Sequence, residues 1–161
     1  LNDVLAAACD QIGQRSEGRI LIAHSDLPSL RASDLEAVIR RGAVVGTDVV
    51  LGPDAADEGT NMMLFSTDNR PALLFGANSF SRHRDDLRRR GLTFAITRRP
   101  GIANDVDTAA DLLALFERRN AANCGKVTSE FLSLPEIADR LRRHRDMSLA
   151  KSGRETVAAN D

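Results

Sequence analysis

The sequence has no tryptophan or tyrosine and only six phenylalanines. Proteins that hold single-stranded nucleic acid stack its bases on aromatic rings, so this scarcity argues against such a platform. An excess of one charge is also lacking. Twenty-two basic and 23 acidic side chains leave a net charge of −1, which gives no general pull towards nucleic acid or an anionic membrane. No apolar run is long enough to span a bilayer, and no stretch reads as a signal peptide. Cys9 and Cys124 lie far apart and form no metal-spaced pair. Such sparse cysteine suits a reducing compartment better than a disulfide scaffold. The expectation is a cytoplasmic protein that engages neither nucleic acid nor membrane.

What is present is enough for one domain or most of one: 161 residues, which can bury a substantial core. The chain opens on Leu1 rather than Met, and already in a helical pattern, with Leu1, Val4, Leu5, Ala8 and Ile12 on one face. It is therefore expected to be a fragment or a processed form whose beginning is absent.

Short apolar runs of the kind buried in parallel sheets follow. They are Arg19-Ile20-Leu21-Ile22-Ala23, Asp48-Val49-Val50-Leu51, Met62-Met63-Leu64-Phe65, Ala72-Leu73-Leu74-Phe75 and a run at 92–97. Only four residues, Asp68-Asn69-Arg70-Pro71, stand in the turn before the fourth run, so an antiparallel neighbour is expected there. Helices are expected between these runs. One begins on a capping box of Ser33 and Glu36 and closes at Gly42. Another is capped by Asn78 or Ser79 and runs to Arg90. Its start, preceded by Gly76, presents backbone N–H groups and would seat a phosphate or a carboxylate. It would equally be an ordinary cap. A last helix opens at Pro135 and is expected to end near Arg145.

Chemistry concentrates at Pro100-Gly101-Ile102-Ala103-Asn104-Asp105-Val106-Asp107-Thr108. In an extended segment, residues two apart point to the same side. Asp105 and Asp107 would converge, and two converging carboxylates call for a cation, with hard oxygen ligands suiting Mg2+ or Mn2+. Thr108 and Asp111 form a second capping box that would hold the pair against a helix start. The same residues would also suit a plain loop rich in caps. Asp26 follows the first strand, where open α/β sheets place ligands.

Four stretches in this order and spacing resemble the 2-phospho-L-lactate guanylyltransferase family: Ser25-Asp26-Leu27-Pro28, Gly59-Thr60-Asn61, Phe75-Gly76-Ala77-Asn78-Ser79-Phe80-Ser81-Arg82-His83, and the segment from Pro100 to Thr108. The resemblance covers about residues 1–116. It implies an α/β nucleotidyltransferase fold of the GT-A type, a three-layer sandwich with a mostly parallel mixed sheet, incomplete at the amino end. It implies transfer of GMP from GTP to the phosphate of 2-phospho-L-lactate, phosphoenolpyruvate or 3-phosphoglycerate, with release of pyrophosphate, in the biosynthesis of coenzyme F-420. The family's metal-binding aspartates match Asp26, Asp105 and Asp107, and its phospho-acid contacts match Thr60, Gly76 and Ser79. A homodimer is the family's implied assembly.

The implied layout is a guanylyltransferase-like domain at 1–119, a linker and extra helix at 120–145, and a flexible tail at 146–161. Three departures stand against the family pattern. The strand and loop that hold the nucleotide would precede Leu1. His24-Ser25 stands where a glycine or small residue is common, and Ala55-Ala56 replaces an arginine after Pro53-Asp54. The alternatives are a nucleotidyltransferase acting on a sugar phosphate or molybdopterin, and a non-catalytic phospho-acid or metal-binding module.

Overall fold

The computed structural model describes residues 1–119 and 124–158, and of 148–158 the backbone alone. It divides into two compact units, Leu1–Asp105 and Val106–Asp161. Residues 120–123 of the expected linker and 159–161 of the expected tail lie outside the described residues.

In the first unit, β1 (Arg19–Ala23), β2 (Val49–Pro53), β3 (Thr60–Ser66) and β4 (Phe94–Ile96) form one open sheet in the order β1-β3-β2-β4. β3 pairs antiparallel with β1 and with β2, while β2 pairs parallel with β4. Hence β1, β2 and β4 run one way and only β3 runs against them: the sheet is mixed, as expected from sequence, with β3 in the centre making two of its three ladders antiparallel.

The pleat sends alternate side chains to opposite faces, and helices cover both. Ile20, Ile22, Val49, Leu51, Met63 and Phe65 face α1 (Asn2–Gly13) and α3 (Ser79–Arg89), which contribute Cys9, Phe80 and Leu87. Val50, Met62 and Leu64 face α2 (Ala32–Gly42) and the short α4 (Pro100–Ala103), which contribute Val38 and Ile102. Each large side chain so buried stabilises the fold by about 1.5–3 kcal/mol. The absence of polar residues from the centre of β2 follows, since every residue of that strand is buried.

Two local expectations are corrected. The capping box of α2 is displaced: the helix starts at Ala32, and the Arg31 N–H donates to Asp34 Oδ2 at 3.1 Å. Asp34 takes this role because it is buried at the helix start and pairs with Arg99, whereas Ser33 and Glu36 face solvent. Residues 72–75 are not a strand. Pro71 removes one donor at the start of this run, and the next amides find side chains instead of a ladder. Leu74 N–H donates to His83 Nε2 at 2.8 Å. Phe75 is clamped from both sides by one residue: its N–H donates to Asn2 Oδ1 at 3.0 Å, and its carbonyl accepts from Asn2 Nδ2 at 3.1 Å. The primary amide of Asn2 thus stands in for a neighbouring strand.

The second unit comprises α5 (Ala109–Arg118), α6 (Lys126–Ser133) and α7 (Pro135–Ala158). Leu115, Phe116, Leu132 and Ala138 form its core. The expected capping box of α5 is present, with Thr108 N–H donating to Asp111 Oδ2 at 2.8 Å and Asp111 N–H donating to Thr108 Oγ1 at 3.2 Å. The helix expected to end near Arg145 continues to Ala158.

Asn2→Ala removes both bonds to Phe75 and should lower stability by about 1–3 kcal/mol. Urea unfolding reads the loss, and hydrogen exchange should show the Phe75 amide losing protection while the β2 amides keep theirs.

Candidate active site

Because β1, β2 and β4 run in parallel, their carboxyl ends share one edge of the sheet, and antiparallel β3 begins there. The register sets Ala23 and Gly52 on either side of Met62. His24-Ser25-Asp26, the loop 54–59 and Thr60 therefore emerge together, at the edge where open α/β sheets bind ligands.

Asn61 fixes this edge. Its carbonyl accepts from His24 N–H at 3.0 Å, and its buried side-chain Nδ2 donates to Ile102 O at 2.9 Å. One residue thus braces the segment bearing Asp26 and the segment leading to Asp105. The second segment is held again by Arg99, whose Nε donates to buried Asp34 Oδ1 at 2.9 Å. Gly101 packs so closely that a Cβ there would overlap Asp34 Oδ2 and lie 2.8 Å from Ser29 O.

Of the expected metal ligands, Asp26 carries the clearest signal. Its Oδ1 is shielded from solvent and has no hydrogen-bond partner. A carboxylate oxygen in that state is costly unless a cation or donor meets it. His24 Nε2 is likewise buried and unpartnered, and its ring lies 5.5 Å from that of Phe75. Asp105 is half-buried at the end of the first unit, and exposed Asp107 belongs to the second. Among the described residues, no three His, Cys, Asp or Glu side chains are grouped to hold a metal ion. Mg2+ rarely needs such a cage, since one or two carboxylates and substrate phosphates commonly complete its shell. Asp26 fits such a role.

Thr60, Gly76 and Ser79 meet at the turn into α3. Thr60 N–H donates to Ser79 Oγ at 2.8 Å, and Ser79 N–H donates to Gly76 O at 3.1 Å. Thr60 and Ser79 are buried at 1% and 2% exposure, so their side chains are part of the fold as well as candidates for contact. Gly76 is exposed at φ 122°, with open space where a Cβ would stand. The helix start is not the open row of donors expected from sequence. Ser79 N–H is satisfied by Gly76, and Phe80 N–H donates to Glu58 O at 3.0 Å. Asn78 makes no side-chain cap and instead turns the chain at φ 53°.

Two residues matter more here than their sequence context suggests. His83 binds Thr60 Oγ1 through Nδ1 at 2.9 Å and Leu74 N–H through Nε2 at 2.8 Å. Burial, with a smaller contribution from the Arg82 charge, lowers its pKa to about 4. Arg98 fixes the loop after β2 through an ion pair with Asp57, at 2.6 Å. That bond draws the Asp57 carboxyl below its ordinary pKa and raises that of Arg98. Neither partner could be found from sequence spacing, since each contact joins distant segments.

Residues 1–145 match the sequence model of the family described as guanylyl transferase CofC like. The chain belongs to that family. It is 36% identical over 112 residues to phosphoenolpyruvate guanylyltransferase of Sphaerobacter thermophilus, covering 70% of this chain and 53% of that protein. It is 32% identical over 130 residues to 3-phospho-D-glycerate guanylyltransferase of Phenylobacterium zucineum, covering 80% and 55%. The chain thus spans about half the length of these relatives. In fold it is similar to a crystal structure described as a nucleotide-diphospho-sugar transferase from Desulfovibrio desulfuricans G20. The TM-score is 0.64 at 20% identity, over 94% of this chain and 62% of that one. The α/β nucleotidyltransferase architecture expected from sequence is therefore present, and CofC-like membership agrees with the four motifs that suggested it. Among the described residues, no helix is long and apolar enough to cross a membrane.

The His83 shift has a definite sign. Its pKa is lower in the folded chain, at about 4, than the ordinary 6.5, so the unfolded chain binds the proton more readily. Its contribution to stability is complete above pH 6.5 and is lost as pH falls towards 4, by roughly 3 kcal/mol in all. Urea unfolding of wild type and His83→Gln across this range should show the steeper acid loss in wild type.

Proposed function

We propose that this chain carries the acceptor- and metal-binding part of a guanylyltransferase. The reaction is transfer of GMP from GTP to the phosphate of phosphoenolpyruvate, 3-phosphoglycerate or 2-phospho-L-lactate, releasing pyrophosphate, as a step towards coenzyme F-420. The observation that carries the reading is the unpartnered buried oxygen of Asp26 at the ligand edge of a nucleotidyltransferase sheet. The names of the curated relatives support the choice of acceptor class. A cytoplasmic homodimer is the form in which we place the enzyme.

The attacking group is a phosphate oxygen, largely ionised at neutral pH because its second pKa is about 6. No strong general base is required, and His83, buried and engaged on both nitrogens, is not placed to be one. The demand is to bring two polyanions together. Asp26 and Asp105 would hold Mg2+ or Mn2+, which when bound neutralises phosphate charge and aligns the two reactants. Thr60, Ser79 and the Gly76 turn would receive the phospho-acid. Asn61 and Asp34 hold the segments that carry these groups.

Mass spectrometry of products formed from GTP, Mg2+ and each phospho-acid tests the reaction, with a sugar 1-phosphate run in parallel. A guanylylated sugar alone would replace this reading with the sugar-phosphate one. Wild-type chain that binds neither GTP nor phospho-acid would remove it.

Asp26→Asn and Asp105→Asn should each lower product formation by roughly 100-fold. Asp26→Asn should leave the apo melting temperature equal or higher, because it removes the charge from a half-buried carboxylate whose shielded Oδ1 has no partner. It should also abolish the rise in melting temperature that Mg2+ with phosphoenolpyruvate is expected to give wild type. An unchanged Mg2+ response in that variant rules Asp26 out as a ligand.

A further inference from the structure

The bonds of His83 decide which way a proton points at Thr60. Nε2 lies 2.8 Å from Leu74 N. A backbone amide only donates, so Nε2 must offer a lone pair. The ring is buried beside Phe75 and lies next to the Arg82 charge, which keeps it neutral. A neutral imidazole carries one N–H, and here that N–H must be on Nδ1. It donates to Thr60 Oγ1.

The Thr60 hydroxyl is then the acceptor in that pair, and its own proton remains to be donated. Among the described residues, Thr60 Oγ1 has no second partner. Ser79 stands in the same state. Its Oγ accepts from Thr60 N–H, and among the described residues nothing accepts its proton. Both residues are almost completely buried. A buried hydroxyl proton without an acceptor is costly, and two at one turn mark a place prepared for an anion.

We propose that His83 is a positioning residue which, by donating from Nδ1, makes the Thr60 hydroxyl an obligate donor to an anionic oxygen of the bound phospho-acid, with Ser79 donating beside it. The inference rests on the acceptor reading given above. It adds the group that sets the donor polarity of the pocket. His83 does not touch the reacting atoms. It also ties Leu74 to Thr60, so the same ring that orients the hydroxyl steadies the segment entering Gly76.

Two substitutions separate orientation from support. In His83→Asn, the side-chain amide nitrogen replaces Nδ1 and keeps the donor to Thr60. In His83→Gln, the side-chain oxygen replaces Nε2 and keeps the acceptor for Leu74 but loses that donor. Phosphoenolpyruvate and 3-phosphoglycerate are titrated calorimetrically into each chain with Mg2+ present and GTP left out, so that no turnover intervenes. The expected result is a Kd for His83→Asn within about threefold of wild type and a Kd for His83→Gln weaker by about tenfold, the weight of one hydrogen bond. Thr60→Val should weaken binding similarly, and adding it to His83→Gln should cost little more.

Equal affinity of His83→Gln and wild type overturns the inference and leaves the acceptor reading intact. Failure of wild type to bind either phospho-acid removes the acceptor reading and this inference with it. Should a variant not fold, the ¹⁵N spectrum of the wild-type imidazole decides. A proton on Nδ1 is required, and a proton on Nε2 overturns the proposal.

Discussion

The buried amide of Asn61 is the constraint on which the ligand edge depends. An unpaired amide in that position would cost as much as a lost hydrogen bond or more. It avoids that cost only while Ile102 O stays within reach at 2.9 Å. The same residue's carbonyl holds His24. Strand pairing therefore does more than build a core. Because Asn61 is the second residue of β3, the register of β3 against β1 and β2 fixes where two distant stretches end. A one-residue slip would turn Asn61 to the opposite face of the sheet and release both.

The polar groups at this edge fall into two kinds. One kind is satisfied by the protein itself. Asp34 meets Arg99, Asp57 meets Arg98, and Asp54 accepts from the amides of Glu58 and Gly59. These bonds make a rigid frame from loops that would otherwise be soft. The other kind is left incomplete: Asp26 Oδ1, His24 Nε2 and the hydroxyl protons of Thr60 and Ser79. Unmet acceptors lie with Asp26 and unmet donors with Thr60 and Ser79. That polarity suits a cation on one side and an anion on the other. Departures from full satisfaction are expected at sites of function.

The parts legible in sequence are those governed by local rules. The runs at β1, β2, β3 and β4 announce themselves by apolar length, and the Thr108–Asp111 box by its spacing. Residues 72–75 were illegible because their composition is strand-like while their partners, Asn2 and His83, are side chains from elsewhere in the chain. The cap of α2 was displaced because Asp34 answers to Arg99, 65 residues away. The candidates Asp26, Asp105, Asp107, Thr60, Gly76 and Ser79 rest on motif resemblance, and topology brings the segments bearing all of them but Asp107 to one edge. The two bonds of His83 could not be read, since both partners, Thr60 and Leu74, depend on the fold.

The clamp between Asn2 and Phe75 has a kinetic consequence. It joins residues 73 apart in the chain. Contacts of such separation are entropically late, because a long loop must close before they gain anything. The stretch entering Gly76 is therefore expected to settle fully once the first helix has docked, and to lose one of its two tethers, His83 being the other, when that helix frays at its first turn. Sub-global opening of this kind occurs well below the cost of complete unfolding. Opening of the segment at 72–76 would therefore be expected to need less free energy than opening of the central strands.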